Sequence, residues 1–390
     1  MTKRTTWLYA LLFLAFFDLH AQHPIMPLYA YSLGASAALL GIILASYSAA
    51  NMTGNILAGP FIDRFGSKVF IVSSLCLAGI LLLFQGLVAT PTELLGLRVV
   101  TGFVIAFLSP ACFALLGKQG KGLEEQGRIM AKNGMMITLA SIIAPVIGGM
   151  IADQLGFERT FILLGLFLIL GGVMGWMTVR EEPSTAAGGQ AMAGGSSILT
   201  ISTDTMLLPA YLAAITTSLG QGILMYEIPY VMAQSGQSST ATGLLLTIMG
   251  LGSLCTLSQG WLNRYSPYSR CFLALAVIAA LFYVLSLQLP VPLSLLLFLK
   301  GAAHGMLFPA KTTILTAGAS RSDYGKVFGI HSAVLSSGYV VGPMIAGTLR
   351  TFVSPFFTAF IFTMIMIILF ITLTANTRIA PVAWRGEPCS

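Results

Sequence analysis

An acidic residue lies near the middle of the first long apolar run of the sequence. Asp18 is eleven residues into the run 7–30, and Gln22 follows four residues later, so both side chains lie on one face of a helix. An ionisable group surrounded by hydrocarbon is unfavourable by several kcal/mol unless it is paired or hydrated. Asp18 is therefore a candidate proton-binding residue, and we assign Gln22 to the substrate cavity. The alternative is a structural hydrogen bond between helices.

Two histidines follow on another face of the same run. His20 and His23 can relay protons, or they can pack and line a polar cavity. Pro24 and Pro27 distort the helix beyond them. No metal site is predicted, because no third ligand clusters with the pair. The five cysteines are scattered without a CxxC pair, which predicts neither a disulfide framework nor a metal centre.

Three basic residues share one stripe of a later apolar run, 291–317. Lys300, His304 and Lys311 are spaced at i, i+4 and i+11, which aligns them on one side of a helix before any distortion at Pro309. We expect Lys300 and His304 to line a hydrated cavity. Lys311 either extends this cavity or reaches the cytoplasmic interface with its charged end.

The run 206–232 contains a second embedded acid. Glu227 directly follows Tyr226 and precedes Tyr230 by three residues. Its carboxylate is a second candidate proton site, and the alternative is that it pairs with a cation of the run 291–317. We assign the two tyrosines to the substrate cavity.

The composition around these residues indicates a membrane protein. Only 8% of the 390 residues are charged and 56% are hydrophobic, whereas a soluble globular chain carries about 25% charged residues. Each apolar run is near the roughly 20 residues that a helix needs to cross hydrocarbon. The sequence predicts an all-α integral membrane protein with twelve transmembrane helices: 7–30, 39–62, 69–88, 92–116, 128–152, 158–178, 206–232, 241–262, 270–288, 291–317, 325–349 and 353–375.

Basic residues are distributed unequally between alternate loops. Only Arg159 and Arg350 lie in loops outside when the N-terminus is placed inside. By the positive-inside rule, we expect both termini in the cytoplasm of a multi-pass protein of the cell (inner or plasma) membrane. The net charge of +7 therefore indicates topology and not nucleic-acid binding. In this orientation the cytoplasmic loops and tail hold these basic residues: Arg64, Lys68, Lys118, Lys121, Arg128, Arg180, Arg264, Arg270, Arg321, Lys326, Arg378 and Arg385.

The first residues also fit a secretory signal peptide. Lys3 and Arg4 precede the apolar run, and a cleavage site is conceivable near Ala21. Cleavage there would remove the first span and invert every later loop, against the distribution of basic residues. We therefore expect the first run to remain as a membrane helix.

The chain divides into two related halves. Residues 180–205 are polar and rich in Gly, Ala and Ser, which predicts a cytoplasmic linker between six-helix bundles at 1–179 and 206–390. An ordered series of matches at an offset between 202 and 198 indicates an internal repeat, as in many membrane transporters: Pro27 with Pro229, Gly34 with Gly236, Gly41 with Gly243, Arg98 with Lys300, Gly59 with Gly260, Pro145 with Pro343 and Gly149 with Gly347.

The turn between the second and third helices carries a recognisable motif, Gly59-Pro60-Phe61-Ile62-Asp63-Arg64-Phe65-Gly66-Ser67-Lys68. We expect Gly59 to allow close helix contact and Gly66 to permit a tight turn, with Asp63 and Arg64 as charges at the membrane edge. This run resembles the GxxxDRxGxK signature of the major facilitator superfamily, and Lys68 matches its last position. Twelve helices and a central linker also match, so the resemblance covers essentially the whole chain.

The resemblance implies a conformational role for this turn. In that family the acid equivalent to Asp63 pairs with a neighbouring helix end and a basic residue, which latches the outward-facing state. In the second half the acidic position of Gly260-Trp261-Leu262-Asn263-Arg264 is taken by Arg264. We therefore expect an asymmetric latch.

Arg98 lies in the sequence Leu97-Arg98-Val99-Val100-Thr101-Gly102, which resembles the RxxqG motif of the superfamily's antiporters, with Thr101 at the position of Gln. The resemblance implies that Arg98 neighbours a titratable carboxylate of the first span and couples its proton binding to conformation. Asp18 is the matching carboxylate.

The fifth predicted span contains Ala140-Ser141-Ile142-Ile143-Ala144-Pro145-Val146-Ile147-Gly148-Gly149. It resembles the GxxxGPxxGG motif of drug/proton antiporters, with alanine at both leading glycines. A kink at Pro145 beside Gly148 and Gly149 allows close packing against a neighbouring helix. Ordinary small-residue packing is the alternative.

Together, these features predict a proton-coupled exporter of an amphiphilic small molecule that works by alternating access. A symporter or facilitator of the same fold, or a non-transporting sensor, are the alternatives. We expect no enzyme activity and no cofactor, with the proton gradient as energy source, since no GxxxxGK[ST] phosphate loop is present. The expected partners are the substrate, protons and the lipid bilayer around a monomer. Embedded cations outnumber embedded acids, which predicts an anionic or zwitterionic group on the substrate.

Overall fold

The computed structural model describes residues 3–117, 123–179, 201–319 and 323–376. Helices dominate these ranges, which contain no strand, and a short 3₁₀ turn at Gly260–Arg264 joins two of them. The predicted linker lies mostly outside the described residues. The α-helices are α1 (Lys3–Ser32), α2 (Ala37–Phe65), α3 (Ser67–Gln85), α4 (Pro91–Ile105), α5 (Leu108–Gly117), α6 (Leu123–Leu155), α7 (Phe157–Thr178), α8 (Leu208–Gln234), α9 (Ser239–Leu257), α10 (Pro267–Ser286), α11 (Leu293–Ala317), α12 (Tyr324–Leu349) and α13 (Pro355–Asn376).

The described helices confirm the all-α membrane architecture. Eleven stretches are long and apolar enough to cross a bilayer, with α4 and α5 joined into one stretch, Pro91–Leu116. The stretch missing from these eleven is α1. Its middle carries Asp18, His20, Gln22 and His23, which lower its mean hydropathy. The helix that falls below the hydropathy of a typical span thus holds more of the candidate proton-coupling and cavity residues than any other single helix described.

Single glycines separate some consecutive helices. Gly66 has a φ of +88° between α2 and α3, and Gly156 has a φ of +83° between α6 and α7. Residues with a Cβ rarely adopt this region, so glycine permits the chain to reverse within one residue. The Gly66 N–H also donates to the carbonyl oxygen of Ile62 at 2.8 Å, which closes the last turn of α2. The tight turn predicted at Gly66 is therefore observed.

The described chain forms two compact units. One holds the described residues within Met1–Gly188 together with Leu224–Gly250 and Pro343–Arg350, and the other holds those within Gly189–Ile223, Leu251–Gly342 and Thr351–Ser390. The first unit thus includes parts of α8, α9 and α12, which belong to the second predicted bundle. The bundle boundaries at 179 and 206 stay a prediction.

In the first unit, small residues set the distance between packed helices. α3 packs on α7, α1 on α6 and α2 on α4. A Cβ added at Gly79 would lie 2.6 Å from the carbonyl oxygen of Gly165, and one added at Gly148 would lie 2.5 Å from that of Ala21. Glycine is needed at these positions because the backbones are too close for a side chain.

The second unit uses the same kind of packing. α10 packs on α11 and α13. A Cβ added at Gly252 would overlap the carbonyl oxygen of Phe298, and one at Gly305 would overlap that of Ser253. The Thr256 hydroxyl donates to the carbonyl oxygen of Ala302 at 2.7 Å, so a hydrogen bond also connects α9 to α11.

The expectation that Gly59 allows close helix contact is wrong. A Cβ at Gly59 would meet no described atom within 4 Å, so its side of α2 is open. The close approach of α2 to the following helices is instead at Gly54, where a Cβ would lie 2.8 Å from the carbonyl oxygen of Phe103. The contact is thus more than one turn further from the cytoplasmic end than the motif suggested.

Candidate functional site

A chain of three polar side chains joins α1 to α4 in the first unit. The Gln22 amide donates from Nε2 to Oδ2 of Asp18 at 2.9 Å, and its Oε1 accepts a hydrogen bond from Nη1 of Arg98 at 2.8 Å. Asp18 and Arg98 are each 6% exposed and Gln22 is 5% exposed. The acid and the base are therefore joined through a neutral amide, and Gln22 has the central position in the group.

Two features of the helices position this group. Asp18 and Gln22 are one turn apart on α1, as the sequence spacing predicts. α4 begins at Pro91 behind the N-cap residue Thr90, whose hydroxyl accepts a hydrogen bond from the backbone N–H of Glu93. This start fixes the face on which Arg98 emerges, two turns further on.

Tyr47 of α2 completes the surroundings of Arg98. The guanidinium carbon lies 4.0 Å from the centroid of the tyrosine ring, a distance typical of a cation–π contact. Oδ1 of Asp18 and Nε of Arg98 make no hydrogen bond with any described residue. Oδ1 can therefore accept a proton or a hydrogen bond, and the Nε–H of Arg98 can donate a hydrogen bond to a water molecule or a ligand.

A second polar chain lies on the same helix as Arg98. Thr101, at the position where the antiporter motif has Gln, accepts a hydrogen bond from Nε2 of Gln85 at 2.8 Å. The backbone carbonyl of Gln85 accepts a bond from the Tyr29 hydroxyl at 2.9 Å. In this protein α3 thus supplies an amide that contacts the motif position held by Thr101.

The two histidines of α1 lie against each other. The ring centroids of His20 and His23 are 5.0 Å apart with an edge-to-face arrangement, and both side chains are half-buried. Among the described residues, no group of three His, Cys, Asp or Glu side chains is arranged to hold a metal ion. The geometry fits the packed pair that the sequence allowed, and a proton relay through the two rings stays a prediction.

Glu227 forms an ion pair with a residue that the sequence did not indicate as its partner. Nη1 of Arg350, the residue directly after α12, lies 2.5 Å from the Glu227 carboxylate oxygens. The same guanidinium lies 3.9 Å from the ring centroid of Tyr230, and the Tyr226 hydroxyl donates to the backbone carbonyl of Ala37 at 2.9 Å. The sequence had left Glu227 open as the partner of a cation in the run 291–317, and had counted Arg350 only as an outer loop charge.

The basic stripe of α11 is buried in the second unit. Lys300 is 4% exposed and donates to Oε1 of Gln221 in α8. Lys311 is 2% exposed, with its ammonium 5.7 Å from the ring centroid of Phe308, so its charged end does not reach the interface. His304 lies between them and is half-buried. The stripe is thus embedded over its whole length.

The motif after α2 places basic side chains against aromatic rings. Arg64 lies 5.2 Å from the ring centroid of Phe65, and Lys68 lies 5.2 Å from that of Trp176 in α7. Asp63 is in the last turn of α2, and its side chain lies outside the described residues. In the second half, Nη1 of Arg270 donates to Oδ1 of Asn263 at 2.7 Å, a polar contact at the equivalent turn.

The small residues of α6 pack on two neighbours, as the motif predicts. Gly148 faces the backbone of Ala21 in α1, and a Cβ at Gly149 would overlap the carbonyl oxygen of Ser239, the first residue of α9. The carbonyl oxygen of Pro145 is similarly close to Gly243. Pro145, Gly148 and Gly149 therefore serve close packing, and their link to antiport stays a prediction.

The sequence did not indicate several residues that belong to these groups. Tyr47, Gln85, Gln221 and Arg350 each contact a candidate residue from a distant part of the chain. Gln85 and Gln221 carried a usable signal, because a polar side chain inside an apolar run is costly and needs a partner. Asp153, one residue beyond the predicted span 128–152, did not carry this signal; its two carboxylate oxygens accept backbone N–H bonds from the start of α9.

Buried charges within a bundle of membrane-spanning helices are typical of a membrane transporter. The family model described as Major Facilitator Superfamily matches residues 8–208 and 210–388. The chain belongs to the major facilitator superfamily.

Curated relatives and solved structures agree with this assignment. The multidrug resistance protein MdtG of Enterobacter lignolyticus (strain SCF1) is 25% identical over 364 residues, covering 88% of this chain and 84% of that protein. A multi-drug resistance efflux pump PmrA homolog of Lactococcus lactis subsp. lactis (strain IL1403) is 22% identical over 346 residues, covering 85% and 84%.

Two solved transporters share the fold. The crystal structure of a bacterial homolog to the human lysosomal transporter Spinster, in an inward-facing and occupied conformation, has a TM-score of 0.77 at 17% identity, covering 99% of this chain and 98% of that chain. The nucleoside transporter NupG, as its D323A mutant, has a TM-score of 0.76 at 12% identity, covering 95% and 100%. At these identities the likeness concerns the fold alone.

Proposed function

We propose that this chain exports an amphiphilic small molecule across the cell membrane in exchange for protons, by alternating access. The observation that carries the proposal is the buried chain of Asp18, Gln22 and Arg98. A carboxylate and a guanidinium held inside membrane helices are costly to maintain unless they have a function. The relatives named as multidrug resistance and efflux pump proteins favour export as the direction.

Asp18 carries the proton in this proposal. Protonation neutralises its carboxylate, which removes the attraction that Arg98 exerts on it through the polarised amide of Gln22. Arg98 keeps its charge in both states and is retained by the ring of Tyr47. The loaded and unloaded protein therefore differ in the electrostatic balance between α1 and α4, and a difference of this kind can shift the population of two conformations.

The remaining parts of the proposal concern energy and setting. The proton gradient drives the exchange without a cofactor, and the protein works as a monomer in the lipid bilayer with both termini in the cytoplasm. The excess of basic residues in the predicted cytoplasmic loops supports this orientation. Glu227 is a second proton-linked residue, with its charge balanced by Arg350.

The substrate is proposed to carry an anionic or zwitterionic group. Glu227 is engaged by Arg350, so it is not the residue that balances the basic stripe of α11. Lys300 donates to a neutral amide and Lys311 faces an aromatic ring. The buried positive charge of this stripe favours a ligand with a negative group, and disfavours a purely cationic one.

The test is a substrate-dependent proton flux in proteoliposomes with an imposed pH gradient. Antiport predicts that substrate moves against the direction of the proton flux, and that collapse of the gradient with an ionophore stops net transport. Proton movement in the same direction as substrate would show symport. Net transport without any proton movement would show a facilitator, and either result would overturn the proposal.

A further inference from the structure

Two close backbone contacts in the first unit are related by the internal repeat. Gly41 of α2 faces the carbonyl oxygen of Pro343 in α12, and Gly243 of α9 faces that of Pro145 in α6, each too closely for a Cβ to fit. Gly41 and Gly243 are 202 residues apart, and Pro145 and Pro343 are 198 apart. The repeat predicted from the sequence therefore coincides with a repeated contact.

The same two contacts continue toward the ends of the helices. A Cβ at Gly347 would lie 2.6 Å from the carbonyl oxygen of Ala37, and one at Gly149 would overlap that of Ser239. We call the contact of α2 with α12 the first seam, and the contact of α6 with α9 the second seam. Both seams involve helix ends that the loop charges place on the extracellular side.

A carboxylate connects the two helices at the end of the second seam. We call a polar connection of this kind a fastening. The two oxygens of Asp153 accept hydrogen bonds from the backbone N–H groups of Ser239 and Thr240, at 2.8 Å each. These N–H groups belong to the first turn of α9, where no intrahelical acceptor exists for them. Deeper in the seam, the Thr247 hydroxyl donates to the carbonyl oxygen of Ile142 at 2.6 Å.

An ion pair fastens the end of the first seam. Arg350, directly after α12, contacts the carboxylate of Glu227 in α8, which is 4% exposed. Tyr230 stacks under the guanidinium, and Tyr226 ties α8 to the carbonyl of Ala37 at the start of α2. In the described part of the chain, the side chains beside this ion pair are therefore the phenols of Tyr226 and Tyr230 and the amide of Gln234, whose oxygen lies 3.5 Å from Arg350.

Neither fastening is repeated at the equivalent positions of the other half. With the same offsets, Asp153 corresponds to Thr351 and Ser239 to Ala37, while Glu227 corresponds to Ile25 and Arg350 to Ala152. The glycine contacts are thus a property of the repeated fold. The two charged fastenings are additions, each present once, and they differ in kind: one binds backbone N–H groups and the other a side-chain cation.

We propose that protonation of Glu227 from outside releases Arg350 and thereby opens the extracellular ends of the two seams, which we call the gate. Asp153 fastens the second seam independently of this proton. The step transfers one proton from external water to a Glu227 carboxylate oxygen; the neutral acid no longer balances Arg350, whose charge is unchanged. This inference rests on the proposed proton-driven export, since it specifies how an external proton promotes opening to the side from which it comes.

The experiment measures gate opening without transport. A reporter Thr247→Cys, in a protein whose native cysteines are replaced, is labelled in right-side-out cells by a membrane-impermeant maleimide added outside, without substrate, at acidic and at alkaline external pH. The replaced residues are Cys76, Cys112, Cys255, Cys271 and Cys389. Each rate is divided by the rate of a reference cysteine at the exposed position Gln237 (Gln237→Cys) at the same pH, because maleimide reacts with the thiolate and the thiolate fraction falls as the pH falls. This normalised labelling should be faster at acidic pH by at least about fivefold, the lower end of typical coupling between a ligand and a conformation.

Three variants separate the two fastenings. Glu227→Gln should label fast at both pH values and lose the acid-to-alkaline ratio, and Arg350→Gln should lose the ratio as well, which covers the case in which one variant does not fold. Asp153→Asn should label faster at both pH values and keep the ratio. Glu158→Gln, which changes an exposed acid at the start of α7, is the matched control and should behave as the parent.

The outcomes separate this inference from the proposed function. The gate proposal is overturned if the parent labels at the same normalised rate at acidic and alkaline pH. It is also overturned if Glu227→Gln keeps the ratio of the two rates. If such a result accompanies normal proton-driven export, the function stands and the gate alone fails. If the labelling pattern is as expected but no substrate-dependent proton flux exists, the gate stands and proton-driven export fails.

Discussion

At the scale of single residues, the main finding is the amide between the acid and the base. The sequence indicated Asp18 and Arg98 as partners, with Gln22 as a cavity residue on the same face as Asp18. In the structure the Gln22 amide bonds both of them, one with each end. An amide can do this because it offers a donor and an acceptor on one rigid group. It connects Asp18 to Arg98 without placing the two charges in contact.

The first prediction concerns the proton-carrying carboxylate. Asp18→Asn keeps the shape of the side chain and removes its titration, so gradient-driven export should be abolished while substrate exchange at equal concentrations persists. Both are measured in proteoliposomes, with and without an imposed proton gradient. Undiminished proton-driven export by this variant would remove Asp18 from the coupling role, whereas loss of exchange as well would indicate a structural role.

The second prediction concerns the amide. Gln22→Leu leaves Oδ2 of Asp18 and Nη1 of Arg98 without their partner, at a cost of about 1–3 kcal/mol for each buried group. We expect a lower midpoint of thermal unfolding and a displaced pH profile of substrate exchange. Gln237→Leu, at an exposed outer turn, is the control and should change neither. A pH profile equal to that of the parent would show that the amide is only structural.

At the scale of helices, the sequence predicted what depends on local pattern. The apolar runs match the helices, and the single-residue turn at Gly66 follows from the conformational freedom of glycine. The repeat of Gly and Pro positions also has a physical basis, since Gly41 and Gly243 face the carbonyls of Pro343 and Pro145.

Contacts between distant residues were not predictable in the same way. Arg350 follows α12 by one residue, and nothing in its neighbourhood indicates Glu227, 123 positions earlier, as its partner. Gly59 was misassigned for a related reason: small residues permit close packing, but only the tertiary structure decides which of them is used. In α2 it is Gly54. Side-chain pairing between helices depends on their rotation and depth, which a single sequence does not show.

The third prediction tests the role of glycine in helix packing. A Cβ at Gly102 would overlap the carbonyl oxygen of Tyr47, whereas one at Gly96, on the same helix, would meet no described atom within 4 Å. Gly102→Ala should therefore destabilise the protein by about 1–3 kcal/mol, as overpacking does. Gly96→Ala should be neutral or stabilising by at most about 1 kcal/mol. Thermal unfolding in detergent distinguishes them, and equal midpoints would refute the packing argument.

The fourth prediction concerns the cytoplasmic end of α2. Asp63 lies in the last turn of the helix, at the predicted membrane edge and remote from the middle of the bilayer. In Asp63→Asn, the transport rate should therefore fall more than the affinity for substrate, with a shift toward inward-facing labelling by thiol reagents. Asn is isosteric, so the change isolates the charge. Identical labelling of mutant and parent would exclude an effect on the conformational equilibrium.

At the scale of the whole molecule, the charges are divided between different parts of the fold. The first compact unit contains the chain from Asp18 to Arg98 and the pair of Glu227 with Arg350, in which each acid has a basic residue in its network. In the second unit, the described part of α11 carries Lys300 and Lys311 without an acid on the same helix. The two acids proposed to bind protons thus lie in one unit, and the buried lysines of α11 lie in the other.

The last prediction follows from this division and concerns substrate charge. A ligand that approaches Lys300 meets positive charge in surroundings of low polarity, where an attraction or repulsion is larger than in water. Anionic and zwitterionic compounds should therefore be transported better than cations. Lys300→Gln removes the charge while an amide side chain can still bond Gln221, so transport of anions and zwitterions should fall selectively.

The measurement compares parent and Lys300→Gln protein in proteoliposomes across a panel of anionic, zwitterionic and cationic amphiphiles. Lys326→Gln, in the predicted cytoplasmic part of α12, controls for the loss of one positive charge. If Lys300→Gln alone selectively loses transport of the anionic and zwitterionic compounds, the result supports an electrostatic contact between Lys300 and the substrate. Two results would contradict this: unchanged transport of anions by Lys300→Gln, or export of cations alone by the parent. Either would show that the buried lysine has a structural role and that other groups set the specificity.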